Sequence, residues 1–209
     1  MIIVLVGRMA SGKTTLKEYI VERSDFTIEP IVTYTTRPKR ANEKDDVDYK
    51  FITEEEFEAM SKLGWFIEET EYDAAFGHCR YGSAYSDYTG EGHKVVVLNP
   101  EGTMKVAEDP KINSFVIWLD YPEEVLMKRA LGRGDKPVEI NRRFMSDQND
   151  FSKFKFYGKW NLRITNPAST NEALFETILD VIEGRSDGRE NEHDQNGDSD
   201  ISRNRSNSI

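Results

Sequence analysis

Apolar positions along this chain come in unbroken runs more often than in alternation. Ile2 to Val6 is one run, residues 94–98 a second, residues 114–119 a third, and residues 162–165 a weaker fourth. A strand covered on both faces reads this way, so these four segments are expected as strands of a parallel sheet. Helical spacing lies between them. Leu16, Tyr19 and Ile20 share a face within residues 15–21, residues 102–106 and 123–131 carry similar patterns, and residues 171–182 repeat Ala173, Leu174, Ile178, Leu179 and Ile182. Strands alternating with helices predict an α/β fold. Residues 33–88 break the rhythm. They offer a short strand at 48–52, a helix opened by the capping pair Thr53 and Glu56 with Phe57 and Met60 on one face, and a strand-like piece at 65–68. That stretch reads as a small mixed α+β insert, and no internal repeat is present.

The polar pattern takes over from Gly184. Residues 184–209 contain Ile201 and Ile209 as their only aliphatic side chains, too little apolar surface to offset the entropy of ordering, so a disordered polar tail is expected there. The remaining 1–183 suits one domain. The whole chain of 209 residues is 37% hydrophobic, enough to bury a core of ordinary size. No apolar stretch approaches the length of a membrane span, and the first residues lack a secretory signal. The single cysteine, Cys79, excludes an intrachain disulfide. A cytoplasmic protein is therefore expected, as a monomer or homodimer.

Charge narrows the partners. A formal net charge of −10 argues against nucleic acid and anionic membrane. Yet Arg37, Lys39, Arg40 and Lys44 cluster in one segment, and Arg129, Arg133, Arg142 and Arg143 in another. Confined cationic sites on an acidic body suit small phosphorylated ligands.

The first apolar run leads directly into such a site. Gly7, Arg8, Met9, Ala10, Ser11, Gly12, Lys13 and Thr14 spell G-x-x-x-x-G-K-[ST], the phosphate loop between a strand and a helix. Backbone N–H groups and the positive end of the helix dipole converge there on a polyphosphate. Residues 7–14 together with Thr15 are expected to bind ATP. Lys13 should reach the β and γ phosphates, and the Thr14 hydroxyl should ligate Mg²⁺, the one cofactor expected beside ATP. Further along, Arg37 and Arg40 flank Pro38 and can present two guanidinium forks to one phosphate dianion, with the Tyr49 and Tyr81 hydroxyls for its remaining oxygens. His78 and Cys79 are adjacent and lack a second pair at zinc-ligand spacing, so no metal site is expected from them.

Residues 33–40 (Thr-Tyr-Thr-Thr-Arg-Pro-Lys-Arg), 48–51 (Asp-Tyr-Lys-Phe), 66–68 (Phe-Ile-Glu), 81–83 (Tyr-Gly-Ser) and 132–134 (Gly-Arg-Gly) fall in the order and near the spacing of the guanylate kinases. From Met1 to about Ile182 the chain resembles that family. The resemblance implies a parallel-sheet core (about 1–32 and 93–183), a nucleoside-monophosphate-binding insert (about 33–92) and a helical lid (about 132–150). It implies transfer of a phosphoryl group from ATP to GMP or dGMP. Arg37, Arg40, Tyr49 and Tyr81, with Ser83, match family residues around the acceptor; Glu68 matches the carboxylate that reads guanine, and Thr33 a serine that donates to its O6. Arg133 and Arg143 resemble the lid arginines, with Arg142 an alternative to Arg143, so Lys13, Arg37, Arg133 and Arg143 are expected at the transfer itself. The chain also departs from the family. Where a D-x-D pair is usual it has Val97 and Asn99, leaving the Asn99 amide oxygen as an acceptor for the base, and the 68–81 loop is a few residues longer. Two other readings therefore stand beside the first: a kinase for another nucleoside or deoxynucleoside monophosphate, and a catalytically silent binding module of the same fold.

Overall fold

In a computed structural model the described residues are 1–25, 27–41, 43–74, 77–184 and 201–202. The first apolar run forms strand β1 (Ile2–Gly7), buried along its whole length, which runs into helix α1 (Lys13–Arg23) and then the short β2 (Ile28–Pro30). A second unit follows: β3 (Tyr34–Thr35), β4 (Lys50–Phe51), α2 (Glu54–Lys62), β5 (Phe66–Ala74) and β6 (Gly77–Ala84). The chain then returns through β7 (His93–Val97), α3 (Pro100–Glu108), β8 (Ser114–Leu119), α4 (Glu123–Gly132), α5 (Pro137–Tyr157), β9 (Leu162–Ile164), α6 (Asn171–Ile182) and β10 (Ile201–Ser202).

The main sheet has the order β10-β9-β8-β1-β7-β2, parallel except for β10, which pairs antiparallel with β9. Unbroken hydrophobicity in β1 reflects cover on both faces. Ile3 and Leu5 join Leu16 and Ile20 of α1, Leu126 of α4 and Ile178 of α6 in one core. Val4 and Val6 point the other way, to Val106 of α3, Trp118 of β8, and Phe151 and Phe154 of α5. Each such side chain, fully buried, contributes about 1.5–3 kcal/mol. The sheet and its flanking helices are the expected α/β core, and no described helix is long and apolar enough to cross a membrane.

Several elements differ from the sequence expectation. The strand at 48–52 shrinks to two residues, Lys50 and Phe51, while the piece at 65–68 extends into a β5–β6 hairpin that takes up the longer loop. Cross-strand pairing rewards the whole length of that hairpin, which a local pattern of mixed polarity does not reveal. The capping box at α2 forms as read: the Thr53 hydroxyl accepts from Glu56 N and the Glu56 carboxylate from Thr53 N. Helix α5 continues past residue 150 to Tyr157 because Phe151 and Phe154 have a core to enter. The expectation of a disordered tail lies outside the described residues, apart from Gly184 and the β10 pair, which adds a short strand at the edge of the sheet.

Candidate active site

The turn between β1 and α1 is built by two glycines with different duties. A Cβ on Gly7 would stand 2.7 Å from both the Leu119 carbonyl and the Ser11 hydroxyl, so only glycine lets the strand run this close to β8. Gly12, at φ 91°, takes the left-handed turn that starts α1. Lys13 folds back over the loop. Its ammonium donates to Gly7 O at 2.7 Å, Arg8 O at 2.8 Å and Ser11 Oγ at 3.3 Å, which occupies all three of its protons. Burial, opposed by the Asp147 carboxylate and reinforced by Arg133, lowers this ammonium to about 8 from its ordinary 10.5. Thr14 and Thr15 are exposed on the first turn of α1, while Ala10 takes a left-handed φ of 57° and Arg8 reaches Glu123 at 3.5 Å.

Facing the loop across a cleft of about 390 Å³ are side chains of the second unit, whose strands form a separate sheet in the order β4-β3-β6-β5: Tyr81 from β6, and Thr33, Arg37, Arg40 and Tyr49 from the segments that flank β3 and β4. Arg37 is buried, and its hydrogen bonds correct the expectation of two free forks. Nε donates to the Tyr81 hydroxyl, Nη1 to Pro38 O and Glu43 Oε2, and Nη2 to Glu43 Oε1 at 2.8 Å. These contacts engage four of the five guanidinium protons, and the fifth, on Nη2, is left to the neighbouring Tyr49 hydroxyl, which interacts with Arg37. The rings of Tyr49 and Phe51 lie 5.2 and 5.6 Å from the guanidinium carbon. Glu43 thus fixes Arg37 in place, and its Oε2 also accepts from Arg40 N. Arg40 keeps an exposed guanidinium.

Glu68 is 4% exposed, on β5. Ser83 stands behind it. The Ser83 hydroxyl donates to Glu68 Oε1 at 2.5 Å and is itself fully buried, so Ser83 acts on this carboxylate and is no part of the cleft wall. Burial pushes the Glu68 carboxyl up to about 7, opposed by the Ser83 hydroxyl and Lys105. Helix α3 approaches the same carboxylate through Gly102, where a Cβ would come 2.8 Å from Oε2. Gly102→Ala is therefore expected to displace Glu68; on the expectation drawn from the sequence, that this carboxylate reads guanine, the KM for a guanine acceptor should rise about tenfold, from one weakened charged hydrogen bond, with the KM for ATP unchanged. Steady-state kinetics on both substrates check this, and a parallel rise for ATP would deny Glu68 its place at the acceptor.

Asn99 lines the cleft with its amide oxygen already engaged. Its Oδ1 caps α3 by accepting from Gly102 N at 2.7 Å, which turns the amide NH₂ toward the cleft, where it donates to the Tyr72 hydroxyl at 2.7 Å. A residue placed just before Pro100 at a helix start is a common N-cap, and that local signal was available in the sequence. Tyr72, edge-on to Tyr81 with ring centres 5.8 Å apart, was not foreseen at the site.

The arginines of residues 132–150 reach the cleft unequally. Arg142 and Arg143 line it, both held by Glu139, which they draw down to about 2. Arg133, at the end of α4, stands outside the lining and pairs with Asp135. Asp135 is held below its ordinary value by that hydrogen bond first and then by the charges of Arg133, Arg143 and Arg40. Glu43, Glu139 and Asp147 were missed by sequence reasoning. Acidic side chains are frequent in this chain, and only their long-range partners distinguish these three.

A family model described as guanylate kinase matches residues 1–166. A guanylate kinase of Streptococcus agalactiae serotype III is 32% identical over 163 residues, covering 75% of this chain and 76% of that protein. One from Clostridioides difficile (strain 630) is 30% identical over 160 residues, covering 75% and 77%. The solved guanylate kinase of Anaplasma phagocytophilum superposes with a TM-score of 0.65 over 90% of this chain and 87% of its own, at 22% identity, a likeness of fold.

Proposed function

From the premise that the chain belongs to the guanylate kinase family, we propose that it transfers the γ-phosphoryl group of ATP to GMP or dGMP, giving ADP and the diphosphate. The observation that carries this reading is the sharing of one cleft by Lys13 of the phosphate loop, the Arg37–Tyr81 clamp and the buried Glu68. Guanine presents an N1–H and a 2-amino group side by side, and one ionised carboxylate accepts from both. Adenine presents a lone pair at N1, which the same carboxylate repels. Glu68 is the carboxylate within that cleft whose position suits the task.

The acceptor phosphate is already an anion, so the reaction needs alignment and charge neutralisation more than a base. Arg40 and the remaining Arg37 proton, with the Tyr49 and Tyr81 hydroxyls, hold the acceptor phosphate. Lys13 exchanges its contacts with Gly7 O and Arg8 O for phosphate oxygens. Arg143 exchanges Glu139 for the group in transfer by side-chain rotation, and Arg133 exchanges Asp135 as the short connection 133–136 closes about Gly134, which has a φ of 90°. Closure excludes water and so suppresses ATP hydrolysis. Among the described residues no group of three or more His, Cys, Asp or Glu could hold a metal, and the exposed Thr14 hydroxyl is a single hard oxygen donor. That donor set fits Mg²⁺ carried mainly by phosphate oxygens and water, and the ion when bound neutralises charge on the β and γ phosphates.

The test is ADP formation with each common ribo- and deoxyribonucleoside monophosphate as acceptor. Turnover concentrated on GMP and dGMP is expected. Equal turnover on adenine or pyrimidine acceptors would remove the base assignment, and its absence with every acceptor would leave the silent binding module.

A further inference from the structure

Helix α5 meets the sheet with Ile140, Phe144, Asp147, Phe151 and Phe154, at alternating spacings of four and three. Four of these are buried apolar side chains and the middle one is a carboxylate. Ile140 and Phe144 belong to the core on the α1 side, Phe151 and Phe154 to the core on the α3 side. Asp147 is therefore carried where the helix crosses from one face to the other, over the carboxyl end of β1. There its Oδ2 accepts from Met9 N, a backbone amide of the phosphate loop, at 3.0 Å. Lys13 and Arg8 are the cations that face it, and Asp150 is a like charge one turn along.

A carboxylate in an apolar stripe is costly unless something specific pairs with it. Here the partner is the set of loop donors that a nucleotide phosphate also needs. We infer that Asp147 is an internal anion on the phosphate loop, that nucleotide phosphates compete with it for the Met9 amide and the neighbouring cations, and that it thereby sets the affinity for the donor nucleotide. The anchoring of α5 by Phe144 and Phe151 matters to the argument. The helix cannot swing away without unpacking both rings, so a phosphate displaces the carboxylate by side-chain rotation alone and still meets its charge nearby. Asp147 acts by raising the energy cost of donor binding, and by keeping a loop amide paired when no phosphate takes it.

The inference rests on residues 7–14 as the triphosphate site, and the experiment separates the two. ATP, ADP and GMP are titrated calorimetrically into the full chain, with and without Mg²⁺, for the wild type, D147N and D147A. D147A is expected to bind ATP about tenfold more tightly than the wild type in the absence of Mg²⁺, the scale of one charge-assisted hydrogen bond, with D147N between them and GMP affinity unchanged. A structural role for the contact predicts the opposite sign, because a loosened loop binds phosphate less well. D147A binding ATP no more tightly than wild type overturns the inference while leaving the loop assignment intact, as does a loss confined to the Mg²⁺ titrations, the mark of a metal ligand. Failure of all three proteins to bind ATP removes both. Should D147A lose its cooperative melt, the isosteric D147N decides by the same sign.

Discussion

Replacing Lys13 by methionine is expected to lower kcat/KM about a thousandfold, the scale on which one preorganised charge donor at a transition state is felt. The argument starts from the three contacts its ammonium makes with Gly7 O, Arg8 O and Ser11 Oγ. They hold the amine at the mouth of the loop, so delivering it to a phosphate takes a rotation and no rearrangement of the backbone. Stability should respond far less than activity. Burial lowers the ammonium to about 8, so holding it charged opposes folding below that pH, and the opposition fades as pH rises from about 8 toward 10.5. At pH 7 the methionine variant loses three hydrogen bonds but also sheds that desolvation, and its melting temperature should stay within a few degrees of wild type. A thermal melt beside the ADP-formation assay separates the two. A collapse of the melt would mean that Lys13 serves the fold first.

Glu68→Gln is expected to reduce kcat/KM for GMP about a hundredfold and to leave ATP binding unaltered. A neutral amide accepts more weakly than a carboxylate, and its NH₂ faces one of the two guanine donors with a donor of its own, so a good contact becomes an unsatisfied one. Equal losses for both substrates would contradict the assignment. The same variant has a pH signature in stability. In the folded protein Glu68 titrates at about 7, above its ordinary 4.5, so the native state holds the proton that the unfolded chain has released between those values. Stability from this group therefore falls as pH rises from 4.5 to 7 and stays low above 7. The glutamine variant escapes that loss. It should melt above wild type at pH 8, with the gap closing as pH falls toward 4.5, and a gap independent of pH would show that Glu68 is not held in a desolvating site. The buried Glu68 carboxylate is thus kept in the cleft at some expense to the fold.

Features that depend on neighbours in the chain were legible in the residues themselves. The run from Ile2 to Val6 followed by Gly7 to Thr14 specifies a buried strand, a phosphate-binding turn and a helix start, because each requirement is met within one turn of backbone. The Thr53–Glu56 capping pair and the continuous strands around Val96 and Ile117 are of the same kind. Arg37, Tyr81 and Glu68 could be named because family motifs carry them at recognisable spacing. Their working state could not, since Glu43 on Arg37, Ser83 behind Glu68 and Tyr72 against Asn99 are pairings that form only when the second sheet closes on itself and on α3.

Sequence alone determined the fold class, the phosphate-loop motif and many of the side chains that line the cleft, because hydrophobic period, glycine placement and short motifs are local properties. The tertiary structure decided which of those groups are committed elsewhere and which unforeseen side chain joins them. Asp147 is the clearest instance: along the chain it is one acid among 38 Asp and Glu, and only the crossing of α5 over the end of β1 brings it to Met9. Coulomb and hydrogen-bond energies act over a few ångströms of space, and the distance between residues 9 and 147 is set by packing the core, which no local pattern encodes.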